Sequence, residues 1–223
     1  MRVLQINSVC GIGSTGKICV NIAKQLIDSG HKCMIAYGRG TVPDEYKDIA
    51  IRIGSDFGNK LSAVHTRITD KHGFFNKSAT IKFINWVKNY NPDIIQLHNI
   101  HGYYINVEIL FEYLKQAEKP VVWTLHDCWP FTGHCSYFDM CGCNKWISGC
   151  DNCPQTDRYP KSFVDSSRKN FELKKQLFSG VKNMTIITPS VWLAGLVSQS
   201  FLGCYDLKVI NNGIDINIFK PSN

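Results

Sequence analysis

The sequence has no run of about eighteen apolar residues, the length a helix needs to cross a bilayer, so a transmembrane helix is not expected in its 223 residues. No internal repeat or low-complexity tract is visible, which excludes solenoid and collagen-like architectures. The N-terminus, Met1-Arg-Val-Leu-Gln-Ile6, lacks a signal-peptide pattern and reads as a strand. A cytoplasmic chain is therefore expected, with peripheral contact at the inner face of a membrane as its furthest reach. No DNA- or RNA-binding motif accompanies the net charge of +7, so nucleic acid is not an expected partner. The 25 basic against 18 acidic residues suit anionic lipid or phosphorylated substrates instead. Part of that excess, Arg168, Lys169, Lys174, Lys175 and Lys182, lies on or near a helical stretch with Phe171, Leu177 and Phe178 as apolar contacts. A solvated face is expected there, with a membrane-surface patch as the alternative.

A hydrophobic content of 44% is enough for a core. Strands are predicted at Val3–Asn7, Cys33–Tyr37, Ile49–Ile53, Ile94–Leu97, Val121–Leu125, Thr185–Thr188 and Lys208–Ile210. Helices alternate with most of them. Gly16–Ser29 carries Ile18, Ile22, Ala23 and Leu26 at helical spacing and stops at Gly30; Ser78–Tyr90 carries Ile81, Ile84 and Val87 and stops at Asn91-Pro92. The alternation predicts an α/β fold, a doubly wound parallel sheet, as one Rossmann-like domain over 1–223. Residues 127–161 break the pattern with glycines, prolines and cysteines, and are expected to form a long ordered insertion.

Three segments carry chemistry. Gly11-Ile-Gly13-Ser14-Thr15-Gly16-Lys17 follows the first strand and opens a helix, where backbone amides and the helix dipole suit a phosphate. It nearly matches a P-loop, but Ile18 stands where the magnesium-binding hydroxyl belongs; it also matches G-x-G-x-x-G without the ribose-binding acid, since the second strand runs into Tyr37-Gly38-Arg39. The glycines also serve a tight turn and close helix packing. The second segment ends a strand with His98, Asn99, His101, Tyr103 and Tyr104, which suits a polar sugar pocket with Tyr103 or Tyr104 as a stacking face. The third, Val121–Leu125, delivers His126 and Asp127 to a strand end, where open α/β sheets bind ligands.

That third segment runs into five cysteines between Cys135 and Cys153. In a reducing compartment these predict a metal rather than disulfides. Cys150-x2-Cys153 has the spacing of a structural zinc knuckle, with Cys135 and one of Cys141 or Cys143 reaching it from the preceding loop. Cys10, Cys19, Cys33, Cys128 and Cys204 are scattered and expected to be inert.

These motifs, with Thr132-Gly-His-Cys135, Gly149-Cys150-Asp-Asn-Cys153-Pro154, Thr188-Pro-Ser-Val-Trp192-Leu193 and Val209-Ile-Asn-Asn212-Gly213-Ile214-Asp215, resemble the retaining glycosyltransferases of family four, which have the GT-B fold. The resemblance spans nearly the whole chain, and the subset with the cysteine insertion looks like enzymes of bacterial surface polysaccharides. It implies an acceptor-side N-terminal domain, with the donor-binding half and its E-x7-E glutamates lying outside these residues. No two glutamates here have that spacing, and a fragment inactive alone is implied. By resemblance, Gly13 and Gly16 approach the diphosphate of a nucleotide-sugar donor, and His126 contacts the transferred sugar or the acceptor. Asp127 orients His126 or an acceptor hydroxyl, and His98, His101 and Tyr104 line the saccharide site. The family's Cys-x6-Cys spacing selects Cys135, Cys143, Cys150 and Cys153 as the zinc ligands. The expected reaction moves a sugar from the nucleotide donor to a lipid-linked saccharide. The alternatives are a P-loop-like nucleotide hydrolase and a non-catalytic binding module recruiting a partner through a zinc loop.

Overall fold

The computed structural model describes residues 1–214 and Lys220; Asp215, the last residue of the tail motif, lies outside them. Seven strands form one sheet in the order β3-β2-β1-β4-β5-β6-β7. They are β1 Arg2–Asn7, β2 Lys32–Tyr37, β3 Ala50–Arg52, β4 Ile94–Leu97, β5 Val121–Thr124, β6 Met184–Thr188 and β7 Asp206–Val209. Every pairing is parallel, so each strand returns through a crossover and helices cover both faces. This is the expected doubly wound α/β fold. No helix among the described residues is long and apolar enough to cross a membrane.

The helices are α1 Gly13–Asp28, α2 Asp56–Thr69, α3 Lys77–Tyr90, α4 Val107–Ala117, α5 Ser167–Phe178 and α6 Val191–Gln199. Short polar side chains start three of them: Ser55, Asn106 and Ser190 accept from Gly58, Ile109 and Leu193 amides at 3.2, 3.0 and 3.2 Å, as N-caps do. α1 begins about one turn earlier than its apolar spacing predicts, because Gly13, Ser14 and Thr15 open the helix without contributing to the buried stripe, whose first residue is Gly16.

The central strands separate two cores. Leu4, Ile6, Ile95, Leu97, Val121, Trp123 and Ile186 belong to the larger one, whereas Val3, Cys33 and Ile35 pack with Cys19, Val20 and Ala23 of α1. Alternation along β1 therefore sends Val3, Gln5 and Asn7 toward the α1 side, and Gln5 is fully buried there.

Between β5 and α5 the chain has no α-helix and no strand, only 3₁₀ turns at Trp129–Phe131, Asp139–Cys141 and Lys145–Ile147. The segment is nonetheless packed. Phe131, Phe138 and Trp146 form an aromatic cluster with centroids 4.9 to 6.4 Å apart. His134 is paired with Asp70 in a fully buried contact. Gly133 lies so close to α5 that a Cβ on it would sit 2.1 Å from the Ser167 carbonyl oxygen. Arg168, Lys169, Lys175 and Lys182 are exposed, as a solvated face requires, but Lys174 departs from that expectation: it is 1% exposed. Its Nζ donates to the carbonyls of Trp129 at 2.8 Å and Thr132 at 3.0 Å, 3.6 Å from the centre of the Trp129 ring. Burial, opposed by Cys150, Asp70 and other nearby acidic groups, lowers its pKa to about 7.

Lys174→Met keeps the apolar stem and removes the donor, leaving two buried carbonyls unpaired at about 1–3 kcal/mol each before the relief of burying no amine. The expected outcome is a melting temperature lower by roughly 5 °C or more in a chain of this size. An unchanged melting curve would mean that the amine does not hold the insertion to α5.

Candidate functional site

Parallel strands deliver all their carboxyl ends to one edge of the sheet, and the strand order reverses at β1, which is flanked by β2 and β4. The crevice at such a switch point is where open α/β sheets take ligands. Asn7 closes β1 there: its side-chain amide donates to the Val9 carbonyl at 2.8 Å and to Thr15 Oγ1 at 3.2 Å, and its Oδ1 accepts the Asn99 amide at 3.2 Å. One side chain thus ties the glycine-rich loop to the exit of β4.

His98 and His126 leave β4 and β5 side by side, with rings nearly parallel and centroids 5.4 Å apart. His98 Nε2 lies 3.2 Å from Gln5 Oε1, and His98 Nδ1 lies 3.1 Å from His126 Nε2. The Gln5 amide nitrogen donates to the Cys19 carbonyl at 2.9 Å, which assigns Oε1 to face His98. An amide oxygen only accepts, so Nε2 of His98 carries the proton and Nδ1 holds a lone pair. His126 must then donate from Nε2, leaving its own Nδ1 as an acceptor. Burial, with a smaller effect of His126, lowers His98 to about 3, which keeps it neutral in this chain of bonds. Burial also lowers His126, with Asp127 opposing and His101 reinforcing the shift.

Asp127 turns elsewhere. Its Oδ2 is 2.8 Å from His101 Nε2 and its Oδ1 accepts the Trp129 amide at 3.0 Å. Burial alone would raise this carboxyl, but His101 and the Trp129 amide outweigh it and the pKa falls. The structure therefore pairs Asp127 with His101, not with His126. His101 Nδ1 lies 3.2 Å from the Tyr159 hydroxyl, and buried His72, which accepts the Gly102 amide at 3.2 Å, sits edge-on to His101, Trp129 and Tyr159. Tyr104 is fully buried, with its hydroxyl on the Asn99 carbonyl at 2.8 Å. The neighbouring ring that stays half-exposed is Tyr103, with Arg39 5.9 Å from its centre.

In the glycine-rich loop the two expected phosphate-facing glycines differ. Gly13 has φ +63° and open space where a Cβ would be, whereas a Cβ on Gly16 would stand 3.1 Å from Gly11 N and from Val9. Gly16 is buried and closes the turn through its carbonyl, which accepts the Gly11 amide at 3.2 Å. No side chain caps the start of α1, so its first amides lack the acceptor that an N-cap would supply.

The structure does not support the zinc expectation. Among the described residues no three His, Cys, Asp or Glu side chains converge as a metal site would require. The thiols lie around one small pocket lined by Cys135, Cys141, Cys143, Cys150 and Cys153: Cys135 hydrogen-bonds Cys153, Cys150 accepts the Gly133 amide at 3.2 Å, and Cys141 donates to the Phe138 carbonyl at 3.2 Å. All ten cysteines are free thiols. The insertion is held by its aromatic cluster and Lys174.

Gln5, His72 and Tyr159 carry no expectation from the sequence, and Lys174 carries only that of a solvated face. Gln5 had a readable signal, a polar residue inside the apolar run of β1. Tyr159 had none, because it reaches His101 from 58 residues away.

The sequence profile of Glycosyltransferase Family 4 matches residues 15–218. The chain is 26% identical over 228 residues to "Putative colanic acid biosynthesis glycosyl transferase WcaC" of Escherichia coli (strain K12), covering 97% of this chain and 55% of that protein. It thus spans about half the length of the curated relative it matches. The crystal structure of glycosyltransferase VinC in complex with DTDP superposes with a TM-score of 0.41 at 16% identity, covering 85% of this chain and 49% of that one.

The pKa of His98, about 3 against 6.5 for an ordinary histidine, makes stability depend on pH. The unfolded chain takes up this proton first as pH falls, so the contribution is complete above about pH 6.5 and is lost toward pH 3, at roughly 1.4 kcal/mol per pH unit. Urea unfolding of His98→Gln between pH 6.5 and 4.5 is expected to lose stability less steeply than wild type, by about one proton. Equal slopes would assign the titration to another group.

Proposed function

Given that the chain belongs to glycosyltransferase family 4, we propose that it forms the acceptor-side part of a retaining transferase that moves a sugar from a nucleotide-sugar to a saccharide in polysaccharide biosynthesis. The observation that carries the reading is the bond chain Gln5–His98–His126, which ends in an uncharged acceptor, His126 Nδ1, at the crevice edge. A neutral imidazole lone pair suits a sugar hydroxyl, which donates one hydrogen bond. By holding that hydroxyl the ring fixes the sugar's orientation, and the energy is largest where charge develops at the reacting carbon.

The remaining residues take supporting roles in this proposal. Gly13 and the uncapped start of α1 offer amides to the donor diphosphate, while Gly16 acts by closing the turn. Asp127 holds His101, and both act on the saccharide side with Tyr159 and Tyr103 rather than through His126. His98 positions His126. A lipid-linked acceptor and a place at the cytoplasmic face of a membrane complete the reading. Donor binding falls mainly to residues beyond this chain, so the 223 residues alone are proposed to transfer sugar too slowly for use. The hydrolase alternative loses its support, because Ile18 offers no hydroxyl to magnesium.

In an enzyme completed by its donor-binding part, His126→Ala is expected to lower turnover about 10²-fold, the scale of losing one oriented hydrogen bond in the transition state. Its melting temperature should stay near that of wild type, since the ring is only partly buried. Proton NMR of the product should show the donor's anomeric configuration retained. Normal turnover in the variant would remove His126 from the mechanism, and an inverted product would refute the retaining course.

A further inference from the structure

Helix α2 is built inside out. Its buried residues are Asn59, Ser62 and Thr66; Asn59 donates to the Gly38 carbonyl at 2.7 Å and Thr66 Oγ1 to the Ser62 carbonyl at 2.9 Å. Its apolar residues face water: Phe57 is 71% exposed, Leu61 43%, Val64 54% and Ile68 60%. At about 100° per residue these four fall within roughly 60° of the helix circumference, opposite the buried polar three. Amphipathic helices of soluble folds put this stripe on the core. An outward stripe weakens the folded chain in water and marks a contact surface. It continues past the end of the helix, because Phe163 (72% exposed) and Val164 (44%) are held there by the Phe163 amide on the Arg67 carbonyl at 2.7 Å.

Charge says what covers the stripe. Residues 52–88 contain seven lysines and arginines, two aspartates and no glutamate. Seven minus two leaves +5 of the chain's +7 in this one stretch. Neither aspartate opposes an incoming anion freely, as Asp70 is buried on His134 and Asp56 is paired with Arg52. Lys60 and Arg67 border the apolar arc, and exposed Lys71 follows it. Beside α2 a groove of about 910 Å³ repeats the same chemistry, with Phe74, Phe83 and Trp86 as walls and Lys77 and Lys82 at its rim. A second copy docked face to face would set like charges against each other. An anionic bilayer has the complementary sign and accepts apolar side chains at its headgroup boundary.

We propose that the outward face of α2, continued by Phe163 and Val164, docks the protein on a membrane surface rich in anionic lipid. Phe57, Leu61, Val64 and Ile68 enter the acyl boundary, and Lys60, Arg67 and Lys71 meet lipid phosphates. The inference rests on the transferase reading only for its purpose, the meeting with a membrane-borne acceptor; vesicle binding and sugar transfer are separate measurements, and either can fail alone.

The test is sedimentation of the purified protein with vesicles of phosphatidylcholine, alone or mixed equally with phosphatidylglycerol. Wild type is expected to bind the mixed vesicles at least about tenfold more tightly than the neutral ones. Leu61→Gln/Ile68→Gln and Lys60→Glu/Arg67→Glu should each weaken that binding about tenfold or more, with melting temperatures unchanged because all four side chains are exposed. Absence of wild-type binding, or variants that bind as well as wild type, would overturn the proposal. So would a wild-type dimer that Leu61→Gln/Ile68→Gln converts to monomer, since a second copy would then cover the face.

Discussion

The parallel alignment of β1, β4 and β5 is the constraint on which the rest depends. Gln5 pairs with Gln96 across β1 and β4, and Leu97 with Trp123 across β4 and β5. This register sets the exit of β4 at His98 two residues short of His126 after β5, and the two rings stack just beyond the strands with Gln5 behind His98. Strand side chains alternate, so a slip of one residue would turn Gln5 into the opposite core and leave His98 without an acceptor. The single tautomer of His126 is thus set by sheet geometry. It needs no charged partner, and Asp127 is left free to engage His101 and the Trp129 amide.

The segment after β5 shows how an irregular chain is kept ordered without regular hydrogen-bond ladders. Its carbonyls need donors once buried, and an apolar residue from α5 would provide none. Lys174 serves two of them at once and packs its stem and head against Trp129. Trp129 in turn touches the ring of His101, which joins the insertion to the candidate site. Within this arrangement Cys128 and Cys135 are buried, Cys143, Cys150 and Cys153 half-buried, and Cys141 exposed. Cys153 is lowered to about 7, chiefly by the hydrogen bond from Cys135.

All seven strands were legible in the sequence to within about two residues at most ends, because each is a short apolar run bounded by turn residues. The strand-end placement of His98, His101, His126 and Asp127 followed from the same reading, since a parallel sheet leaves little choice of edge. Partnership was not legible. Whether Asp127 meets His126 or His101 depends on the backbone path through Cys128 and Trp129, which has no periodicity to read. Lys174 was misjudged for a related reason: a lysine among lysines looks solvated, and only the oxygens contributed by a distant loop make its burial tolerable. The metal expectation rested on spacing, and no metal-binding group among the described residues supports it.

Two departures from ordinary patterning remain, and they point in opposite directions. Gln5 puts an amide into the core of β1, where an aliphatic residue would pack as well, and its oxygen fixes an imidazole at the crevice. Asn59, Ser62 and Thr66 put polar groups beneath α2, and their presence inside obliges the apolar residues of that helix to lie outside. Neither arrangement improves the stability of the isolated fold, since each gives up apolar burial for hydrogen bonds of modest net worth. Local patterns that run against the fold concentrate where a protein meets something other than itself. On this chain they fall at the crevice beyond β1, where the proposed ligand is a sugar, and on the face of α2, where the proposed contact is an anionic surface.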